Sequence, residues 1–303
     1  MSYYTELLKT LNKNNTYEMC LQNIIHPFSL YYLCDHFYGD EIKHHNIPIP
    51  TDKNDLLINN NISDIKDFDI IHCQVNYFNH FCINLLDKIE RPFILTTGQW
   101  LLPQIHKSEF TEKILKHKHV ILWISQNPIY ENNSKYLAFP YGIRDSSLKL
   151  YSEILINNPT IIKNKELIFL PINNNTHYTR RKLPVMPEIS NETYYKNMLN
   201  VKFILSPIGD RDDCYRHYEA IGLGVVPISN VNSFYKNIFT SNMIYTDIDN
   251  MVNMLNLDFN LNYVEPNKNL ICFDYYKNLI YTHIDNIKLK LTFDCYSQIT
   301  KIC

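Results

Sequence analysis

The sequence predicts an α/β protein built as two successive strand–helix halves that meet near residue 150, and three observations carry that prediction. Short apolar runs alternate with helically spaced segments from Asp67 to Pro140, the same alternation restarts at Glu166, and the composition can fill a large core. Strand, helix, strand in repetition is the pattern of a parallel sheet with crossover helices. With 303 residues, 45% apolar and 20% charged, the chain has room for two ordinary domains and is not a disordered polymer. No self-similarity appears at solenoid periods, and the Asn-rich patches are compositional bias rather than linkers.

In chain order, Phe28–Tyr38 has the aromatic and aliphatic spacing of a helix, and IPIPTDKND and INNNISD read as loops. Asp69–Cys73 is a short apolar strand. Tyr77–Ile89 carries helical spacing through Phe78, Phe81, Cys82, Leu85 and Leu86. Pro92–Thr96 is a buried strand, Thr111–Lys118 a helix, Val120–Ser125 a strand containing a core Trp123, and Tyr136–Pro140 a further short strand. A helix with loops fills Asp145–Lys165. The second half then gives a strand at Glu166–Pro171, a polar loop at Asn173–Lys182 entering a helix, a strand at Val201–Leu205, a helix at Cys214–Leu223 and a strand at Val225–Ile228. Met243–Tyr245 is one more strand, before helices near Ile248–Leu255 and Asp274–Ile287.

Charge and cysteine usage exclude several classes. A formal charge of -2 and a pI near 6.6 are not those of a polyanion binder, so nucleic acid is not the expected partner. The eight cysteines form no CxxC pair and no zinc spacing; they read as reduced, mostly buried thiols. His117 and His119 read as the polar end of a helix rather than as metal ligands. No leader-like segment and no run of eighteen apolar residues is visible, so a soluble, cytoplasmic protein is expected.

The residues that carry chemistry concentrate in the second half. The chain has six glycines, and Gly209, Gly222 and Gly224 fall within Gly209–Gly224. Four of its six arginines, Arg180, Arg181, Arg211 and Arg216, flank the two strand-to-helix turns. Arginine suits a site where a planar fork must grip phosphate oxygens. The strand Val201–Leu205 runs into Ser206-Pro207-Ile208-Gly209, where a glycine lets backbone approach a ligand. Asp212 or Asp213 is expected to cap the next helix, whose N-terminal amides favour an anion such as a diphosphate. Arg216 and Glu219 share a face of that helix, and Gly224 occupies its C-terminal cap position. Asp210, Asp212 and Asp213 read as loop and cap residues rather than a metal site. No G-x-G-x-x-G follows any predicted strand, which argues against a dinucleotide oxidoreductase.

Ser206, Pro207, Gly209, Arg216, Glu219, Ala220, Gly224, Pro227 and Ile228 together resemble the C-terminal motif of the exostosin-like glycosyltransferases. Upstream, Pro92–Trp100, Ile121–Pro128 and Tyr136–Ile143 are similar to strands and a Pro-x-Gly-Ile turn of relatives of that family. The similarity spans roughly residues 67–250. It implies a GT-B fold, two Rossmann-like domains with parallel sheets facing a central cleft: residues 1–150 would bind the acceptor and 151–303 the nucleotide sugar. By that resemblance Arg180 or Arg181 and Arg216 hold the diphosphate, Glu219 the ribose, and Ser206, Pro207, Gly209, Asp213 and Cys214 line the pocket. No obligatory metal or other cofactor is implied, since arginines and the helix dipole neutralise the leaving group. The donor would be a nucleoside-diphosphate sugar, uracil favoured over guanine on family grounds. The acceptor would be a glycan, glycoprotein or lipid-linked saccharide, and the reaction inverting.

An inverting enzyme needs a general base. Relatives carry an acidic residue just after the strand that here reads ILTTGQW, whereas this chain has Gln99 and Trp100. His106 is the candidate base, with Glu109, His72 and Asp35 behind it. Two alternatives remain open: another sugar-nucleotide enzyme, such as an epimerase or phosphorylase, and a degenerate member that binds glycan or nucleotide without catalysis. The Asn-, Ile-, Lys- and Tyr-rich composition suits an AT-rich source, a large DNA virus, a protist or a bacterium; a viral protein would work in the host cytoplasm.

Overall fold

A computed structural model describes residues 2–39, 53–59, 61–98, 104–126, 128–131, 133–256 and 261–299. In chain order, α1 (Tyr3–Lys13) and α2 (Tyr17–Asn23) come first. The first α/β run holds β1 (His36–Tyr38), β2 (Asn54–Asp55), α3 (Leu56–Asn59), β3 (Ile70–Gln74), α4 (Phe78–Asn84), β4 (Phe93–Gly98), α5 (Glu109–Lys116), β5 (Val120–Ser125) and β6 (Tyr136–Ala138). After α6 (Leu148–Asn157) the second run holds β7 (Lys165–Ile168), α7 (Asn191–Leu199), β8 (Val201–Leu205), α8 (Tyr215–Gly222), β9 (Val226–Ser229), α9 (Lys236–Phe239) and β10 (Ile244–Tyr245). Helices α10 (Ile248–Asn256) and α11 (Phe273–Ile299) follow.

The strands form two parallel sheets, as the alternation predicts. One has the order β2-β1-β3-β4-β5-β6, the other β10-β9-β8-β7. Every strand pair is parallel, so each sheet needs crossover connections. The inner strands β3, β4, β5, β8 and β9 are almost wholly buried, while β2, β7 and β10 are not. In the larger sheet the strand order reverses between β1 and β3. Its core includes Phe81, Phe93, Leu95, Trp123 and Ile114. Trp123 stacks on Phe78 at 5.6 Å and donates its indole N–H to Thr97 Oγ1 at 2.9 Å, the core role expected of it. The smaller sheet packs Phe203, Leu205, Val226 and Ile228 against Ile248 and Met251 of α10.

The chain folds as two compact units, and neither is a continuous half. Met1–Ser29 belongs with Pro140–Phe273, and Asp274–Cys303 with Leu30–Phe139, whereas the sequence suggested one crossing near residue 150. Within the first unit the reason is packing of the leading helices. Leu7 and Leu11 of α1 and Leu21 of α2 are buried, and Cys20 Sγ lies 3.2 Å from Ser152 Oγ of α6. Ile24 also bridges to Cys272, and Ile25 N–H donates to Ile271 O at 2.9 Å. In the second unit α11 buries Ile280 and Ile284 and sets Tyr276 against Phe139 at 5.4 Å.

Several expectations shift locally. The expected helix at Phe28–Tyr38 is a single 3-10 turn, Ser29–Tyr32, followed by strand β1. All three β1 residues are buried, so they lack the alternation that marks a half-exposed strand. IPIPTDKND lies mostly outside the described residues, and its end, Asn54–Asp55, is strand β2. INNNISD, expected as loop, holds the end of α3 and a 3-10 turn at Ile62–Asp64. Helix α5 starts where Ser108 and Thr111 exchange reciprocal hydrogen bonds.

Candidate active site

The candidate site lies where the smaller sheet ends. In parallel α/β sheets, ligands bind outside the carboxyl ends of the strands. Strand β8 runs into Ser206-Pro207-Ile208-Gly209, and Ser206 N–H extends the ladder by donating to Ile228 O at 2.8 Å. The loop is pinned from below by Arg180, which is 8% exposed. Its Nε donates to Ile208 O at 2.6 Å, Nη2 to Pro207 O at 2.8 Å, and Nη1 to Thr176 Oγ1 at 2.9 Å. Burial lowers the Arg180 pKa from its ordinary value, and Cys214, when ionised, opposes that shift. Gly209 is required here by close approach: a Cβ at that position would lie 2.8 Å from Arg180 Nη2. The glycine thus admits a guanidinium beneath the loop.

Helix α8 carries the next group of side chains. Its C-terminus is closed as expected, with Gly224 at φ 70°, Gly224 N–H bonded to Ile221 O and Val225 N–H to Ala220 O. Its N-terminus differs from expectation, because neither Asp212 nor Asp213 caps it. Cys214 is the N-cap residue, and its N–H reaches His217 Nδ1 at 3.4 Å. Asp213 sits one residue too early and turns inward, where Oδ2 accepts from Tyr141 N–H at 2.9 Å and from Tyr218 OH at 2.8 Å. Asp212 accepts from Asn232.

Arg216 and Glu219 do converge, through a residue the sequence did not single out. Arg216 Nε donates to the Tyr194 hydroxyl at 2.8 Å, and that hydroxyl donates to Glu219 Oε2 at 3.1 Å. Tyr195 donates to Oε1 at 2.9 Å. Arg216 Nη2 holds Pro171 O, just beyond β7, at 2.5 Å, and the guanidinium lies 5.4 Å from the Tyr194 ring. Glu219 is 6% exposed, and burial raises its carboxyl pKa against the pull of Tyr195 and Arg216. Each Glu219 oxygen accepts one tyrosine hydroxyl, and a carboxylate oxygen has a lone pair for a further donor.

Arg181 is exposed on the 3-10 turn Tyr178–Lys182. Arg211 lies over the Tyr141 ring at 4.5 Å. Ser206, Pro207 and Gly209 are buried, and the Ser206 carbonyl accepts from His217 Nε2 at 3.0 Å. Cys214 keeps partial solvent access. Tyr194, Tyr195 and His217 are the functional candidates missed in sequence. Only the i, i+3 spacing of Cys214 and His217, that of an N-cap with its reciprocal partner, could have drawn attention to the last.

The other unit holds the candidate base. His106 is exposed in the loop before α5, and Asp35 and Glu109 are exposed as well. Gln99 and Trp100 lie outside the described residues. His72 is fully buried on β3, stacked on Phe37 at 5.9 Å, with Nδ1 2.8 Å from Thr96 Oγ1. Burial pushes its imidazole pKa down to about 3, so His72 is neutral at physiological pH and a poor proton acceptor.

Fold and site together define a class: a parallel α/β protein with an arginine-braced strand-to-helix turn. Comparison with known families refines this for part of the chain. Residues 161–241 match the family described as the RXYLT1 C-terminal domain, so this segment is glycosyltransferase-like. The match runs from just before β7 through α9 and contains every donor-side candidate from Arg180 to Glu219, but not His106. No curated protein matches the chain. No helix among the described residues is long and apolar enough to cross a membrane.

Proposed function

We propose that the protein is a glycosyltransferase that moves a sugar from a nucleoside-diphosphate donor to a glycan hydroxyl with inversion. The observation that supports it best is the Arg216–Tyr194–Glu219 chain at the carboxyl edge of the β7–β10 sheet, inside the matched segment. In this proposal Arg181 and Arg216, with the N-terminus of α8, neutralise the diphosphate as the sugar–oxygen bond breaks. Arg180 acts from beneath, fixing Ser206–Gly209 and adding positive charge. Glu219 takes the ribose hydroxyls in exchange for the Tyr194 hydroxyl. Uridine diphosphate is the favoured donor nucleotide, and a glycan, glycoprotein or lipid-linked saccharide the acceptor, bound by the β1–β6 sheet. His106 is the proposed base.

Calorimetric titration with UDP, GDP and CMP tests the donor assignment, and release of free nucleoside diphosphate on adding acceptor saccharides tests transfer. Nucleotide binding without release would favour a non-catalytic sugar-nucleotide binder. One observation favours that second proposal: both Glu219 oxygens and most Arg180 donors already have partners within the protein. No binding of any nucleotide at millimolar concentration would remove both.

A further inference from the structure

The start of α8 brings Cys214, His217 and Asp213 together, and the proposed transfer gives this trio no chemical step. Cys214 Sγ lies 3.4 Å from His217 Nε2 and 3.6 Å from Ser206 Oγ. The His217 ring is fully buried against Phe239 at 5.4 Å. Its Nε2 also contacts Ser206 O and Ser229 Oγ, each at 3.0 Å. A carbonyl only accepts, so Nε2 carries a proton. On the other side, Nδ1 faces Asp213 Oδ1 at 3.6 Å. That oxygen is buried and has no hydrogen-bond partner among the described residues, while Oδ2 is doubly engaged. Nδ1 also meets the Cys214 N–H at 3.4 Å, so a second ring proton, which would make an imidazolium, gives up that acceptor contact and turns Nδ1 toward Asp213 Oδ1 as a donor. Arg180 supplies a second buried positive charge. An imidazolium at His217 would thus be flanked by Asp213, by Asp212 and by Cys214, the ionisable thiol in direct contact with Nε2.

We propose that Cys214 is a covalent modification site, a thiolate nucleophile held by His217 and Asp213 that exchanges with small-molecule disulfides. The electrostatics agree with the geometry. Burial alone would raise the Cys214 thiol, but the charge and hydrogen bond of His217, with Arg180, outweigh it and bring it down to about 7. Burial alone would lower His217, but Cys214 and Asp213 outweigh it and bring it up to about 10. Cys20, Cys34, Cys73, Cys82 and Cys272 are buried, whereas Cys214 has partial solvent access.

In the exchange, the Cys214 thiolate attacks one sulfur of the reagent disulfide. The reagent S–S bond breaks as the Cys214 S–S bond forms, and the departing thiolate takes a proton from solvent. Cys214 is oxidised to a mixed disulfide and the departing half of the reagent is reduced. The adduct would stand at the N-terminus of α8 beside Arg180, where it would exclude a nucleotide. Only this last consequence rests on the proposed donor site.

The test is alkylation of the full chain with iodoacetamide, and exchange with glutathione disulfide, from pH 5.5 to 9, read by intact mass and peptide mapping. The expected result is labelling of Cys214 ahead of the buried Cys20, Cys34, Cys73, Cys82 and Cys272, with a rate midpoint near pH 7 rather than the value of about 8.5 of a free thiol. His217→Gln should move the midpoint up by a unit or more. Because His217 is buried and that variant could misfold, the profile of the unmodified chain decides. A midpoint at about 8.5 or above, or no label on Cys214, overturns the proposal. Added nucleoside diphosphate should slow labelling. A midpoint near 7 without such protection leaves the thiolate standing and removes the donor from this turn.

Discussion

Replacing Tyr194 by Phe removes one oxygen atom from the centre of the candidate site. That oxygen accepts from Arg216 Nε at 2.8 Å and donates to Glu219 Oε2 at 3.1 Å, so two charge-assisted hydrogen bonds go together. Bonds to charged groups contribute about 1.5–3 kcal/mol each. The full sum is not lost, because the ring stays beneath the guanidinium, which is half-buried and regains water. Glu219 keeps its bond from Tyr195 at 2.9 Å. A net destabilisation of about 2–3 kcal/mol follows, which lowers Tm by about 4–12 °C for a unit of this size. Differential scanning calorimetry of Tyr194→Phe beside the unmodified chain measures it. If Glu219 exchanges Tyr194 for a ribose, the same variant still binds nucleotide, because the carboxylate it exposes is the ligand. A Tm within about 1 °C of the parent would show that the network carries no such energy and would refute this reasoning.

Other substitutions and conditions probe the rest of the framework. Arg180→Lys keeps the charge but loses the fork that holds Ile208 O and Pro207 O, and should cost about 2–4 kcal/mol; chemical denaturation measures it. Gly209→Ala forces a methyl group against Arg180 Nη2 and should cost about 1–3 kcal/mol, while weakening nucleotide binding. Acid should unfold the protein through its buried neutral histidines. Burial depresses His72 to about 3 and His26 to about 4. Their stabilisation is therefore fully present above the unfolded value of about 6.5 and is lost as pH falls through the folded values. Each contributes about 1.4 kcal/mol per pH unit across that interval. Urea midpoints between pH 7 and 5 should fall steeply, and His72→Leu should flatten the slope by about one proton.

Much of the fold was legible because parallel sheets leave a strong trace. Strands β5 and β8 occupy the residues the apolar runs indicated, and α8, β9 and α10 differ by a residue or two. Strand β1 was hidden because three buried residues in a row show no period. Helix α7 was expected after the Asn173–Lys182 loop but without bounds, because only Tyr195 and Met198 on it are buried, too little for a clear apolar stripe. The discontinuous units could not be read at all, since the pairing of α1 and α2 with α6 is a long-range contact with no local pattern.

The site was legible where backbone demands a residue type and obscure where side chains meet across distance. Gly224 at positive φ and the Arg216–Glu219 spacing were both visible in the sequence. Tyr194 and Tyr195 were not, because they lie 25 and 24 residues from the carboxylate they serve. The cap was misassigned because Asp commonly fills that role, yet Asp213 has a better use as the buried acceptor for Tyr141 N–H and Tyr218 OH.

The central claim is that the turn from β8 into α8 holds the diphosphate of a sugar nucleotide. Isothermal titration of UDP into the unmodified chain, Arg216→Ala and Glu219→Gln tests it most directly, with circular dichroism confirming that each variant is folded. The account predicts binding by the unmodified chain and a loss of about tenfold or more in each variant, equivalent to about 1.4 kcal/mol. Equal affinity in all three proteins would contradict it.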